Sequence, residues 1–187
     1  NWSAYNGYYA ITNAEELYGW RETLVNKTLG NGDLGNAVLI NDIVVNTGDM
    51  VAAGDAGTPP AYTWPAIESF KGVLDGRGHS ISGLYIVEGS DGTYKYTAFI
   101  EVLGGEIKNL VISNTFVDAS SAYNSVIAAA EWLSEGISNV KIDSNVKIKA
   151  SGSFGAFICD TGDVTLTNCV SLANIIIDGG RYIGSVV

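Results

Sequence analysis

The carboxylates are the side chains of this sequence whose type and spacing could carry out chemistry. Asp160 and Asp163 stand in an Asp-Thr-Gly-Asp segment, and Asp178 opens an Asp-Gly-Gly segment. Clustered carboxylates can act as acid and base on a glycosidic bond or support metal-assisted cleavage. Short polar runs with glycine are also typical of turns, where an Asp side chain accepts hydrogen bonds from backbone amides. We prefer the turn interpretation and predict no catalytic residues.

His79 is the only histidine, and it follows Asp75-Gly76-Arg77-Gly78. General acid–base catalysis requires a nucleophile or a second titratable group beside it, and no spacing identifies one. We therefore predict a structural histidine in a turn. Cys159 and Cys169 lack the spacings of zinc sites, and their apolar neighbours favour buried free thiols over a disulfide.

Calcium is the one cofactor that the composition leaves open. The protein has 20 acidic and 10 basic residues and a formal net charge of −10, and Ca²⁺ prefers oxygen ligands. No complete metal-binding loop is present, so Asp91, Asp160 and Asp163 are the candidate ligands. The preferred expectation is that no cofactor binds and that the acidic surface serves solubility.

Aromatic side chains in loops are the candidates for contact with a ligand. Tyr62, Trp64, Tyr94 and Tyr96 stand outside the repeated segments described below. Exposed aromatic rings often form contact surfaces for sugars or proteins. The alternative, which we prefer, is packing against the body of the domain, because large aromatic side chains favour burial. The acidic charge argues against nucleic acid and anionic membranes as partners.

Four similar segments indicate a repeated structure that would position these residues. They begin at Ile81, Ile107, Ile137 and Leu166, about 26–30 residues apart. A small residue and two apolar residues follow each one, at Ala98-Phe99-Ile100, Ser125-Val126-Ile127, Ala156-Phe157-Ile158 and Ser185-Val186-Val187. Short β-rich segments at this period, separated by Gly, Asn, Ser and Asp, are typical of a β-solenoid. The sequence therefore predicts an all-β fold, a right-handed parallel β-helix.

Stacking of the repeats predicts the core. One interior ladder would contain Ile81, Ile107, Ile137 and Leu166, and a second would contain Leu84, Leu110, Val140 and Cys169. Asn109, Asn139 and Asn168 share the position before the second ladder. A buried corner Asn there can bond to its neighbours along the stack and tolerates a turn conformation.

The first part of the sequence predicts an N-terminal cap. Thr12-Asn13-Ala14-Glu15 matches a capping box, and the apolar spacing that follows predicts a helix over about residues 13–25. Such a helix would cover the apolar end of a solenoid. We predict one domain over residues 1–187, with a cap at 1–36, the first coil or coils at 37–80, including a long loop at 48–65, and four repeat copies at 81–187.

The segment from Phe70 to Leu84 carries a family resemblance. It reads F-K-G-V-L-D-G-R-G-H-S-I-S-G-L and resembles the F-x-G-x-x-D-G-x-G-H-x-I-x-G-L stretch of GLUG-type repeat proteins. Those repeats form β-solenoid regions of bacterial and archaeal surface proteins, including adhesins and the non-catalytic repeats of immunoglobulin A proteases. The family's Gly-Leu-Phe-Gly marker is degenerate here, as Thr97-Ala98-Phe99-Ile100. The resemblance implies extracellular or cell-surface display and no catalytic residues.

These observations predict a non-catalytic extracellular module with a structural or adhesive role. The sequence ends inside the fourth apolar marker, so either further coils follow or an open edge pairs end to end with another copy, building a fibre, sheath or surface layer. Expected partners are other copies of the protein or neighbouring coils, and a glycan or a host or cell-surface protein. The alternative is a carbohydrate-binding or polysaccharide-degrading β-helix. No apolar run reaches the length of a transmembrane segment.

Overall fold

The fold is built mainly from short parallel strands. A computed structural model describes residues 4–5, 7–30, 32–87, 96–119, 122–160, 162, 164–177 and 183–184. Its strands form four sheets, and two helices accompany them. Within these residues every strand pair is parallel except one short N-terminal hairpin. The predicted β-rich, parallel-stranded fold is confirmed.

The largest sheet has ten strands and runs through the whole described chain. Its strands are β1 (Ala4–Tyr5), β2 (Tyr8–Ile11), β3 (Ala37–Leu39), β4 (Ile43–Val44), β6 (Val73–Asp75), β7 (Ser80–Ser82), β11 (Glu106–Ser113), β15 (Gly136–Ile142), β19 (Leu166–Thr167) and β20 (Val170–Ser171). We call it the long sheet.

The other three sheets have four strands each. The second sheet contains β5 (Ile67–Phe70), β10 (Ile100–Leu103), β14 (Ala128–Glu131) and β18 (Ile158–Asp160). The third contains β8 (Tyr85–Val87), β12 (Thr115–Ala119), β16 (Val146–Ala150) and β21 (Asn174–Ile177). The fourth contains β9 (Tyr96–Thr97), β13 (Tyr123–Ser125), β17 (Ser153–Gly155) and β22 (Ile183–Gly184).

Successive stretches of chain contribute strands to these sheets in the same order. We number the stretches as the first repeat (β5–β8), second repeat (β9–β12), third repeat (β13–β16) and fourth repeat (β17–β21). The second, third and fourth repeats each add a strand to the fourth, second, long and third sheets in turn. The second and third repeats therefore pair with the repeats before and after them, and equivalent residues stand side by side.

The interior ladders are largely as the spacing predicts. Ile107 pairs with Ile137, which pairs with Leu166. Leu110 pairs with Val140, and each is 1% exposed. Alternating side chains along these strands fill one continuous core of aliphatic and aromatic residues, because successive residues of a strand point to opposite faces.

The predicted place of Ile81 is wrong. Ile81 pairs with Ile112, and Leu74 stands opposite Ile107. Leu84 likewise lies beside the third sheet, where its carbonyl accepts a hydrogen bond from the amide of Phe116. The first repeat has two short strands, β6 and β7, where the second has the single eight-residue strand β11. The apolar pattern that begins at Ile81 therefore aligns with the end of β11, at Ile112, and not with Ile107.

A small residue followed by two apolar residues forms the marker that recurs after each repeated segment. The predicted alignment of these markers is also shifted by one residue. Ile100 pairs with Ala128, and Ala128 pairs with Ile158, so Ile127 is not opposite Ile100. The third repeat holds one more residue than the second between its fourth-sheet and second-sheet strands. The fourth copy of the marker, residues 185–187, lies outside the described residues.

A chain of side-chain hydrogen bonds links equivalent asparagines across the repeats. Asn109 Nδ2 donates to Asp75 Oδ1 at 3.0 Å, Asn139 Nδ2 to Asn109 Oδ1 at 3.1 Å, and Asn168 Nδ2 to Asn139 Oδ1 at 3.2 Å. The three asparagines have φ between 51° and 53°, in the left-handed region that Asn tolerates better than most residues. The predicted bonding is confirmed, but Asn139 and Asn168 are exposed rather than buried.

The N-terminal helix α1 covers Ala14–Val25, as predicted. Its cap lies one residue later than expected: Asn13 accepts from the amide of Glu16, and Glu16 Oε2 accepts from the amide and hydroxyl of Thr12. The helix buries Leu17 and Trp20 against β2 and β5.

The predicted loop at 48–65 contains a second helix, α2 (Met50–Asp55). Asp49 caps it by accepting hydrogen bonds from the amides of Val51 and Ala52. The helix covers the outer face of the third sheet, where Met50 packs on the stacked rings of Tyr85 and Phe116. Neither helix in the described residues is long and apolar enough to cross a membrane.

Candidate binding site

Trp64, one of the predicted contact residues, is a core residue. Its side chain is 1% exposed, and its ring stacks on Phe99 with centroids 4.7 Å apart. Its Nε1 donates to the carbonyl of Phe99 at 3.0 Å. A ring enclosed in this way offers no surface to a ligand, so the packing alternative applies to Trp64.

Tyr62 is on the surface, with 62% of its area exposed. It lines a groove of about 480 Å³ together with Tyr18, Glu15, Ala14 and Val45. The position of Tyr62 is fixed through its backbone. Its amide donates to Asn46 Oδ1 at 3.2 Å, and its carbonyl accepts from Asn46 Nδ2 at 2.7 Å. The preferred prediction of packing therefore does not apply to the ring of Tyr62, which stays a candidate for ligand contact.

Tyr96 is partly buried and lies beside its counterpart in the next repeat. Its ring centroid is 5.6 Å from that of Tyr123, and the two residues pair across β9 and β13. Tyr94, the fourth predicted contact residue, lies outside the described residues.

Of the three candidate calcium ligands, only Asp160 lies within the described residues. Asp160 is exposed at the end of β18, and Asp91, Asp163 and Asp178 lie outside the described residues. Among the residues that the structure describes, no group of three or more His, Cys, Asp and Glu side chains could hold a metal ion.

His79 lies beside a carboxylate and a hydroxyl without forming a catalytic relay with them. Its Nδ1 is 3.5 Å from Asp42 Oδ1, and the amide and hydroxyl of Ser80 donate to that same oxygen at 2.7 and 3.1 Å. The hydrogen bonds from Ser80 have the largest effect in lowering the pKa of Asp42, and the nearby histidine lowers it further. A nucleophilic serine must bond to the histidine instead, so the geometry fits a structural role that fixes the turn.

The two cysteines are free thiols. Cys169 is buried, and its sulfur donates to the carbonyls of Ile137 and Thr167 at 3.4 Å. Burial raises the pKa of both the Cys159 and the Cys169 thiol. A raised pKa keeps the thiol protonated and therefore unreactive as a nucleophile.

The most exposed apolar side chains of the described structure are adjacent, at Trp132 and Leu133. They are 74% and 86% exposed. They lie in the connection between β14 of the second sheet and β15 of the long sheet. We call these two residues the corner tip.

An insertion produces the corner tip. In the first two repeats only two residues join the second sheet to the long sheet, Lys71-Gly72 and Gly104-Gly105. In the third repeat four residues, 132–135, join β14 to β15. The longer connection takes a left-handed backbone at Leu133, with φ of 58°, which costs a non-glycine residue about 1–2 kcal/mol.

Hydrogen bonds hold the connection in place on both sides of the tip. The amide of Trp132 donates to the carbonyl of Leu103 at 2.9 Å, and that of Glu135 to Gly105 at 3.1 Å. Glu131 accepts from the amide of Ser134 through Oε1 at 2.6 Å and from that of Gly162 through Oε2 at 3.3 Å. The exposed side chains therefore stand on a supported backbone.

Two grooves adjoin the corner tip, and Trp132 and Leu133 line both. The first, of about 360 Å³, is also lined by Ser69, Lys71, Val102 and Gly104. The second, of about 380 Å³, is also lined by Glu131, Ser134 and Gly162. An aromatic ring with hydroxyl, ammonium and carboxylate groups close by is an arrangement that can bind a partly polar ligand.

Trp132 and Leu133 are not among the site residues predicted from the sequence. Trp132 follows an alanine-rich apolar run, which gives no indication of exposure. The available signal was the length of the connection, which becomes apparent only when β10 and β14 are placed in register. In that register Lys71, Gly104 and Trp132 follow paired strand ends and form one column across three repeats.

Comparisons with known proteins give no match: no family model, curated protein or solved structure is significantly similar to this chain. The resemblance to GLUG-type repeats therefore stays a prediction.

Proposed function

We propose that this chain is a right-handed parallel β-solenoid that serves as a non-catalytic structural and adhesive module at the cell surface. The observation that carries the proposal is the register. Three successive repeats add parallel strands to the same four sheets, one to each sheet except that the fourth repeat adds two short strands, β19 and β20, to the long sheet, and the interior is filled by side chains. A fold of this kind presents long, rigid outer faces, which suit contact with extended partners. The surface location rests on the resemblance to GLUG-type repeats.

Adhesion of coated particles tests the proposed role. Beads carrying the purified protein should adhere to a panel of bacterial and host cells, while soluble protein should release no sugar from polysaccharides. Release of sugar that Asp160→Asn abolishes would overturn the non-catalytic part. Absence of adhesion to every cell type would overturn the adhesive part. An experimental structure with a left-handed path would overturn the solenoid assignment.

End-to-end assembly is a further part of the proposal. In the described part of the chain, β18, β19, β20 and β21 have strand partners on one side only. Val170, Leu172 and Ile176 of the same repeat are 46% to 51% exposed. Open strand edges and apolar side chains together favour pairing with another coil, either in the same polypeptide or in a second copy.

Sedimentation across a concentration series tests this assembly. We expect association that increases with concentration and that Ile176→Lys weakens, because a charge on the edge strand opposes pairing. Val44→Lys is a matched control, since Val44 is also exposed but lies far from the fourth repeat. A monomer at every concentration would contradict assembly between copies.

Carbohydrate binding is the second candidate function, and the corner tip favours it. Trp132 exposes its ring between two grooves that carry polar groups. Exposed aromatic rings beside hydrogen-bonding groups are suited to the apolar face and hydroxyl edge of a sugar.

A further inference from the structure

The corner tip is organised for contact before any partner arrives. A left-handed backbone at Leu133 and two large exposed apolar side chains each cost free energy, and a strained residue at a supported position indicates function more often than chance. Four hydrogen bonds, described above, keep the connection from relaxing. A partner that stacks on Trp132 would therefore meet a backbone already in position, which reduces the entropy lost on binding.

The shape around Trp132 favours an extended ligand over a flat surface. The two grooves lie on different sides of the tip, because one set of lining residues belongs to the first and second repeats and the other to the third and fourth. A ligand that occupies both must pass along Trp132 and Leu133. A linear polymer can do so, whereas a membrane surface would touch the tip and leave both concave grooves empty.

The charge of the first groove favours an acidic ligand. Lys71 is exposed and has no ion-pair partner in the described part of the chain, although the protein as a whole carries a net charge of −10. Only Gly104 separates Lys71 from Trp132 in their column. A Cβ added at Gly104 would lie 3.4 Å from Lys71 Cγ and 3.3 Å from the Trp132 carbonyl oxygen.

The backbones of Lys71 and Trp132 are thus two strand spacings apart, roughly 10 Å. That separation lets neighbouring units of one polymer contact the ring and the ammonium group. Gly104 places no side chain between them, and the aliphatic stem of Lys71 lies close to it. Glu131 in the second groove already accepts two hydrogen bonds, so its carboxylate is partly satisfied, whereas no described residue forms an ion pair with the ammonium group of Lys71.

We propose that the corner tip binds a linear polysaccharide that carries carboxylate groups, with a sugar ring stacked on Trp132 and a carboxylate of the same polymer paired with Lys71. This inference rests on the proposed adhesive function and names the chemical class that one adhesive surface recognises. The hydroxyls of Ser69 and Ser134 lie in the two grooves, where they can bond to sugar hydroxyls on either side of the stacked ring.

Affinity electrophoresis and titration calorimetry test the proposal with polygalacturonate, alginate and hyaluronate as acidic polymers and dextran as the neutral one. We expect binding to at least one acidic polymer and none to dextran. Trp132→Ala should weaken that binding by about tenfold, which corresponds to roughly 1.4 kcal/mol, because the stacking contact is lost. Trp132→Phe should retain most of it.

Two lysine variants test the charge. Lys71→Ala should weaken binding and reduce its salt dependence, because an ion pair at a surface is screened by salt. Lys149→Ala is the matched control, since Lys149 is also exposed but lies on the third sheet, and it should bind like the parent protein. Thermal unfolding of each variant confirms that the fold is retained, as expected for substitution of exposed side chains.

Specific results would overturn this inference. They are no binding to any acidic polymer, equal binding by Trp132→Ala, or equal binding of dextran. If Trp132→Ala instead alters sedimentation in the absence of polymer, the tip contacts a second copy of the chain and the proposal is wrong. Bead adhesion distinguishes failure of the polysaccharide site from failure of the adhesive function. If no acidic polymer binds but beads carrying Trp132→Ala still adhere to cells, the polysaccharide site is refuted and the adhesive function is not.

Discussion

At the scale of the residue, a few polar side chains fix where the repeats bend. Asn109, Asn139 and Asn168 combine a left-handed backbone with an amide that bonds to the preceding repeat. The amide direction is the same at each step, so every asparagine donates to the repeat before it, and Asp75 accepts the last bond. Each position therefore needs a residue that tolerates a left-handed backbone and whose side chain can both donate and accept a hydrogen bond. Asn meets both requirements.

Substitutions at Asn139 should separate these two requirements. Asn139→Gly keeps the left-handed backbone without strain and loses the amide bonds, so we expect a loss of about 1 kcal/mol in the free energy of unfolding. Asn139→Ala loses the bonds and also strains the backbone, adding roughly 1 kcal/mol or more. Urea denaturation of both variants measures the difference. Equal stability of the two would show that the left-handed backbone at Asn139 carries no cost.

The carboxyl group of Asp42 gives a prediction for the effect of pH. The hydrogen bonds from Ser80 lower its pKa below the usual 3.8, so the folded state binds this proton less readily than the unfolded state. Its contribution to stability is therefore present at neutral pH and is lost as the pH falls through 3.8 and below. We expect Asp42→Asn to reduce the free energy of unfolding at pH 7 and to leave it unchanged near pH 2. A difference that persists at pH 2 would argue against the ionised carboxylate as its source.

Residue identity alone did not distinguish a core aromatic from a surface one. Trp64 and Tyr62 stand two residues apart in the same loop sequence, yet one is enclosed by Phe99 and the other is largely exposed. What separates them is the isolated pairing of Trp64 with Ile86, which directs its side chain into the core. That pairing joins parts of the chain that no local pattern connects.

At the scale of the element, the two helices differ in how clearly the sequence indicates them. Helix α1 is indicated by a cap and an apolar spacing over 12 residues. Helix α2 has six residues in a segment rich in Gly, Ala and Pro, which is also the composition of a loop. Its stability comes from packing on Tyr85 and Phe116, and that contact depends on tertiary structure.

Gly54 should be essential for the docking of α2. A Cβ at this position would lie 2.4 Å from three ring atoms of Phe116, so Gly54→Ala must push the helix or the ring away. We expect faster hydrogen exchange at the amides of α2, with exchange in the long sheet unchanged. Ala52→Gly also changes the number of glycines in α2, and it serves as the control for that effect. If Gly54→Ala leaves α2 protected, the close approach of this helix to the ring is not required.

The pairing of strands, like the presence of α2, could be predicted only in part from local sequence. The ladder from Ile107 to Leu166 follows from spacing because those repeats have nearly equal strands. The first repeat departs from it because Gly76–His79 divides its long-sheet segment into β6 and β7. The apolar pattern then matches at the wrong position, since Ile81, like Ile107, has a leucine three residues later but pairs with Ile112 in the sheet.

At the scale of the whole molecule, one core connects all the repeats. Leu110 lies in the middle of the stack and is 1% exposed, so Leu110→Ala should create a cavity and lower the free energy of unfolding by about 2–5 kcal/mol. Val111→Ala is the matched control on the same strand, because Val111 points outward and is partly exposed; it should cost less than about 1 kcal/mol. Urea denaturation with fluorescence detection measures both. Equal losses would contradict the observed orientation of β11.

A charge at the neighbouring position in this ladder should be more damaging still. Val140 pairs with Leu110 and is equally buried. Val140→Asp would place a carboxylate without a partner in the core, and the desolvation cost exceeds that of a cavity. We expect a protein that is unfolded or aggregated at room temperature, detected by loss of its circular dichroism signal. A soluble, fully folded variant would contradict the burial of this position.

The parallel pairing of successive repeats has a mechanical consequence. Hydrogen bonds between repeats point along the direction of stacking, so tension applied between the first and the fourth repeat pulls those bonds apart in the direction of their own length. Bonds loaded in this way open one after another instead of sharing the force. A chain pulled at its ends should therefore extend by peeling off single repeats, giving a series of small, similar force steps. A molecule that yields repeat by repeat would dissipate the energy of a sudden pull while the remaining repeats stay folded.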